Sequence, residues 1–213
     1  MKSEKVFIPG PVGQLEAILE WPDAISSPDR VAVLCHPHSL YGGSYTNKVV
    51  HILASVFLKL NIPVLRFNFR GVGKSEGQFD NGIGEQEDLA TCVAWMKQRY
   101  PDAQLQLGGF SFGAYVAYLA HNRLNTERLL LIAPPLRLFE FGPTKPVELP
   151  WLVIQGSEDE IVDVEAVNEW IAKQPGQPHF YLMQGASHFF HGRLNELRDI
   201  VFKEWGLMND HEE

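Results

Sequence analysis

Short apolar runs of strand length alternate along this chain with stretches whose apolar residues recur every three or four positions. Val31-Ala32-Val33-Leu34-Cys35, Leu129-Leu130-Leu131-Ile132-Ala133 and Trp151-Leu152-Val153-Ile154-Gln155 are nearly continuous apolar runs. Such runs fit strands buried on both faces of a parallel sheet. Pro63 to Phe69, Leu105 to Gly108 and His179 to Leu182 supply further strands. Between them, Val49 to Leu60 predicts a helix with Val49, Val50, Leu53, Val56, Phe57 and Leu60 on one side. Glu85 to Arg99 predicts a second, with Leu89, Val93 and Met96 inward and Trp95 on a flank. Ala114 to Asn122, Val164 to Lys173 and Leu194 to Trp205 complete the helical set.

The first segment has a different rhythm. Val6 to Ile8 and Gln14 to Trp21 flank the turn Pro9 to Gly13, and Leu15, Ala17 and Leu19 alternate with polar Gln14 and Glu16 and, less cleanly, with Ile18 and Glu20. That pattern predicts an antiparallel hairpin at a sheet edge. Pro22 to Arg30 reads as a polar turn, Pro134 to Leu149 as irregular, and the tail Asn209 to Glu213 as frayed. Alternating strands and helices imply an α/β fold: a mainly parallel twisted sheet with helices on both faces and an antiparallel N-terminal hairpin. No linker divides the chain, so one domain over residues 1–213 is expected.

Composition adds exclusions. Hydrophobic residues make up 45% and charged residues 21%, as in ordinary globular proteins. A net charge of −8 argues against nucleic acid or an anionic membrane surface as the main partner. Met1 to Lys5 leads into a strand without the apolar stretch of a secretory signal, and no run reaches membrane-span length. Cys35 and Cys92 do not make a disulfide framework, so a cytoplasmic location is expected.

The candidate chemistry centres on Gly109-Phe110-Ser111-Phe112-Gly113, a G-x-S-x-G between a strand-like run and a helix-like run. A sharp strand-to-helix turn exposes the serine hydroxyl above the sheet, and a Cβ at either glycine would crowd it. Ser111 is therefore the candidate nucleophile, and it needs a base. His188, in the loop Gly185 to His188, is the candidate base; His191, His36 and His38 are rivals, with His191 expected to begin the closing helix. Asp159, three residues beyond Gly156, is the candidate acid that orients the imidazole, with Glu158 and Asp163 as alternatives. An oxyanion needs two N–H donors. One is expected from Phe112, and the other from His38 or Ser39 in the loop after Cys35. His36 and His38 lack an identifiable third ligand, so no metal site is expected. Asn68 to Ser75 nearly spells a phosphate loop, but Gly77, Gly82 and Gly84 argue against a helix starting at Lys74. A supporting turn is expected instead, with Arg70 in an ion pair. Buried Cys35 and Cys92 are read as packing residues.

These segments carry a resemblance. His36-Pro-His-Ser-Leu-Tyr-Gly-Gly43, Arg66-Phe-Asn-Phe-Arg-Gly-Val-Gly73, Gly109 to Gly113 and Gly185-Ala-Ser-His-Phe-Phe-His-Gly192 resemble the small lidless bacterial α/β-hydrolases of unassigned substrate. The order Ser111, Asp159, His188 is also that of the α/β-hydrolases. The resemblance implies a triad of those three residues and no metal or organic cofactor. His36-Pro37 stands where lipases and esterases commonly have His-Gly. Lids in this superfamily usually follow the strand that ends here near Ala133, and Pro134 to Leu149 is too short to form one. An open, shallow site is therefore expected, with aromatic walls from Phe139, Phe141, Phe189 and Phe190, of which Phe189 and Phe139 are the chosen substrate contacts. The implied activity is that of a carboxylesterase on small or short-acyl esters. A thioesterase, a small peptidase or a non-catalytic ligand-binding protein stays open.

Overall fold

The computed structural model describes residues 1–23, 27–142 and 147–207. The expected frayed tail, Asn209 to Glu213, lies outside the described residues, as do parts of the two irregular stretches. The strands are β1 (Lys2–Gly10), β2 (Gly13–Trp21), β3 (Arg30–Cys35), β4 (Val64–Phe67), β5 (Gln104–Phe110), β6 (Thr126–Ile132), β7 (Trp151–Gly156) and β8 (His179–Met183). The helices are α1 (Lys48–Lys59), α2 (Ile83–Arg99), α3 (Phe112–Ala120), α4 (Val164–Ala172) and α5 (Leu194–Leu207). One eight-stranded sheet runs in the order β1-β2-β4-β3-β5-β6-β7-β8. From β4 to β8 in that order every pair is parallel, whereas β1 with β2 and β2 with β4 are antiparallel.

The apolar runs are continuous because both faces of the central strands are covered. Val31, Val33, Leu105, Leu107, Leu129, Leu131 and Val153 belong to one core, which α2, α3 and α4 close with Leu89, Val116 and Val167. The alternate positions Ala32, Leu34, Leu130, Ile132, Leu152 and Ile154 belong to the other, which α1 and α5 close with Leu53, Phe57, Val201 and Trp205. At full burial each large side chain contributes roughly 1.5–3 kcal/mol, so this two-sided packing dominates the fold.

Several boundaries shift by a few residues from the sequence expectation, and two of the shifts show their cause. Strand β1 extends well beyond Val6 to Ile8, pairing in register from Lys2 with Trp21 to Gly10 with Gly13. Backbone pairing sustains its polar half, which hydropathy does not register. Helix α2 begins before Glu85, because the buried Glu85 carboxylate accepts from the N–H groups of Gly82 (2.8 Å) and Asp80 (2.8 Å) and so ties down the helix start.

The topology positions the site. From β3 the chain passes to β4 on one side, then crosses to β5 on the other. The loops leaving β3 and β5 therefore diverge, and a crevice opens between their carboxyl ends. Among the described residues no helix is long and apolar enough to cross a membrane.

One buried polar tie of the sheet anchors a covering helix. Gln106, in the middle of β5, accepts from the Trp205 indole N–H at 3.0 Å, which anchors α5. Trp205→Phe strands that acceptor and leaves a small void. It should lower unfolding stability by roughly 2–4 kcal/mol in urea titration with an unchanged m-value. An unchanged midpoint would contradict this role.

Candidate active site

Ser111 sits between β5 and α3 with φ 53° and ψ −120°, a left-handed conformation that a serine adopts only under constraint. Its N–H donates to the Ile132 carbonyl at 2.8 Å. A Cβ on Gly109 would lie 2.2 Å from the Gly113 carbonyl oxygen, and one on Gly113 would lie 2.3 Å from that of Cys35. Only glycine lets these backbones approach so closely. Phe112 opens α3, and among the described residues its N–H has no hydrogen-bond acceptor.

His188 lies in the turn after β8 and Asp159 in the turn after β7. The Ser111 hydroxyl is 3.1 Å from His188 Nε2, and His188 Nδ1 is 2.8 Å from Asp159 Oδ2. Because a carboxylate only accepts, Nδ1 carries the proton and Nε2 is left to accept from the serine hydroxyl. Asp159 Oδ1 accepts from the N–H groups of Ile161 (2.9 Å) and Val162 (2.7 Å), while Oδ2 also accepts from Gln155 Nε2 (2.8 Å). Burial pushes the Asp159 carboxyl up, but the hydrogen bonds from His188, Val162 and Ile161 outweigh it and hold the group below the usual range. Ser111 is 8% and His188 2% exposed, so the row of groups is largely withdrawn from water.

The two turns are pinned together. A Cβ on Gly156 would lie 2.3 Å from the Ala186 carbonyl oxygen, and the Glu158 N–H donates to that oxygen at 3.0 Å. Glu160 accepts from the His188 backbone N–H at 3.0 Å. Sequence reasoning missed both Glu160 and Gln155. The signal for Gln155 was present: it is the polar residue that ends an otherwise apolar strand.

The rivals occupy other places. Glu158 is exposed, and Asp163 caps α4 and pairs with Arg137. His191 lies in a turn ahead of α5 rather than at its start, because the helix begins at Leu194. His36 is fully buried; its Nδ1 donates to the Pro37 carbonyl at 2.6 Å and its Nε2 accepts from the Phe69 N–H at 3.0 Å. Both nitrogens are thus engaged, and the ring cannot join His38 on a metal. The near-phosphate loop is a series of turns in which Arg70 pairs with buried Asp88 at 2.8 Å. Burial holds the Cys35 thiol well above its ordinary range, so it is an inert packing group.

A cavity of about 160 Å³ opens over Ser111, lined by Phe112, His38, Phe139, His188 and Phe189 among others. Three expected residues fall elsewhere. Phe141 packs in the core against Tyr118 and Trp170, and Phe190 is fully buried under the sheet. Ser39 lies against a separate depression with Arg70 and Phe79, and its own hydroxyl is buried. The turn that begins at Ser39 carries it away from the cavity that His38 lines.

No family model matches this chain. A lidless α/β serine hydrolase from Xanthomonas campestris is 42% identical and superposes with a TM-score of 0.91, over 96% of this chain and 95% of that one. An α/β serine hydrolase homologue from Coxiella burnetii is 41% identical, also at 0.91, over 96% and 98% of the two chains. An uncharacterized protein of Rickettsia prowazekii is 35% identical over 207 residues, covering 92% of this chain and 86% of that one.

The buried tie at His36 gives a pH prediction. Burial pushes its pKa from 6.5 down to about 4. A depressed folded value means that the stabilisation is complete above pH 6.5 and is lost as pH falls toward 4. Between pH 7 and pH 5 the wild type should lose on the order of 2 kcal/mol through this group. His36→Gln, whose amide oxygen can still accept from Phe69, should lose correspondingly less in parallel urea titrations. Equal losses in the two proteins would contradict the assignment.

Proposed function

The chain belongs to the lidless α/β serine hydrolases, and from that premise we propose that it is a carboxylesterase cleaving small or short-acyl esters through an acyl-enzyme on Ser111. The observation that carries this reading is the hydrogen-bonded row from Ser111 through His188 to Asp159 at the floor of an apolar cleft. Ser111 Oγ attacks the acyl carbon while His188 Nε2 takes the hydroxyl proton. Asp159, held ionised by its hydrogen bonds, stabilises the imidazolium that results. The N–H groups of Phe112 and His38 receive the oxyanion; we choose His38 over Ser39 because His38 lines the cleft and Ser39 does not. His188 then gives its proton to the departing alkoxide. In the second half Nε2 takes a proton from water, the hydroxide attacks the acyl carbon, and the proton returns to Ser111 as the acid leaves.

Size supports the short-acyl choice. The cleft volume is close to the roughly 150 Å³ of an apolar cavity that holds benzene, so the space over Ser111 suits about one ring or a few methylenes. Of its aromatic lining, Phe139 and Phe189 are the proposed substrate contacts. The net charge of −8 argues against nucleic acid or an anionic membrane as the main partner, and the proposed location is the cytoplasm.

Asp159→Asn should keep the fold and lower kcat on 4-nitrophenyl butyrate about 10⁴-fold, with KM within a few-fold, because the imidazole loses its orienting charge. Across wild-type assays kcat/KM should fall from butyrate to dodecanoate esters. Retention of activity within tenfold by Asp159→Asn, or a preference for the long chain, would overturn the proposal.

A further inference from the structure

His38 has a side chain as well as a backbone N–H in this cleft, and the ring is held in one state. It stands at the start of the short turn Ser39–Tyr41, where its Nδ1 accepts from the Leu40 N–H at 3.2 Å. A nitrogen that accepts cannot also carry a proton, so the neutral ring bears its hydrogen on Nε2. Four rings fix its plane: Tyr41 and Phe79 at 4.8 Å, Phe112 at 5.2 Å and Phe139 at 5.8 Å between centroids. Partial burial among them lowers the pKa and keeps the ring uncharged.

Its Nε2 donates to no group among the described residues. It is also not sealed away, unlike the Nε2 of His121, which is buried without a partner. The ring lines the cavity above Ser111, so this N–H is open to whatever occupies the cleft. Among the described residues the cavity lining includes no Lys, Arg, Asp or Glu; Asn47, Ser111 and His188 are among its other polar side chains, and most of the rest is aromatic or aliphatic. A charged substrate group would enter without a counter-ion and pay full desolvation. A wholly apolar one would leave the Nε2–H covered and unpaired.

We propose that the His38 side chain is a neutral hydrogen-bond donor to the substrate, and that the cleft selects esters bearing an uncharged oxygen acceptor beside a small apolar group. The inference rests on the esterase reading only in taking the bound molecule to be an ester.

Binding in a Ser111→Ala background tests it without requiring turnover. Two isosteric pairs serve as probes: 4-nitrophenyl methoxyacetate with 4-nitrophenyl butyrate, and 2-methoxyethyl butyrate with butyl butyrate. Each pair exchanges a methylene for an ether oxygen, on the acyl side or the alcohol side. Adding His38→Phe, which keeps a ring in the aromatic group and removes the donor, should weaken one ether ester about tenfold while changing its methylene counterpart less than about twofold. Equal effects within both pairs, or no binding of any probe, would overturn the proposal. Ring nitrogen NMR on the intact protein gives a readout independent of how His38→Phe folds. The Nε2–H tautomer is expected, and an Nδ1–H tautomer would overturn the assignment. Should the wild type bind these esters and hydrolyse none, the esterase reading fails while the role of His38 stands.

Discussion

The structure depends on how closely three backbones pass one another at the end of β5. The turn at Ser111 leaves no room for a Cβ at Gly109 or Gly113, and the carbonyl of Cys35 fills the space beside Gly113. That contact fixes the loop after β3 relative to the start of α3. Ser111 takes its left-handed conformation there, and the Phe112 N–H at the helix start has no acceptor among the described residues. Strain of this kind costs on the order of 1–3 kcal/mol and persists only where the surroundings over-determine it. Here the surroundings are a sheet buried on both faces, whose packing energy far exceeds that cost.

The same economy of space recurs on the other side of the cleft. Gly156 lets the turn after β7 touch the turn after β8, and backbone hydrogen bonds join them. Asp159 then reaches the His188 ring while Glu160 holds the His188 N–H. Two adjacent carboxylates thus fix one histidine at its ring and at its backbone. The ring packs against Phe110 and Phe189, which limits it to the orientation facing Ser111.

Much of this was legible in the residues. Two-sided burial writes itself as continuous apolar runs, so the central strands and their covering helices could be read from Val31 to Cys35 or Leu129 to Ala133. The turns that carry Ser111, Asp159 and His188 could be placed at strand ends for the same reason, and the structure brings them into contact. What escaped the sequence were features set by backbone pairing or by turn direction. The polar half of β1 is held by its register with β2, which no side chain announces. Phe141 and Phe190 sit one short turn from the cleft yet face the core. Ser39 and His38 are adjacent in sequence, and only the course of the turn between β3 and α1 separates them. Glu160 acts on a backbone N–H 28 residues away, and such a partner has no sequence signature.

The central claim is that Ser111 is a nucleophile activated by His188. Its most direct test is labelling of the folded protein with a fluorophosphonate, followed by peptide mass spectrometry. The account predicts one adduct per chain, on Ser111, abolished in Ser111→Ala and strongly slowed in His188→Ala. A folded wild type that stays unlabelled, or an adduct on another residue, would contradict it.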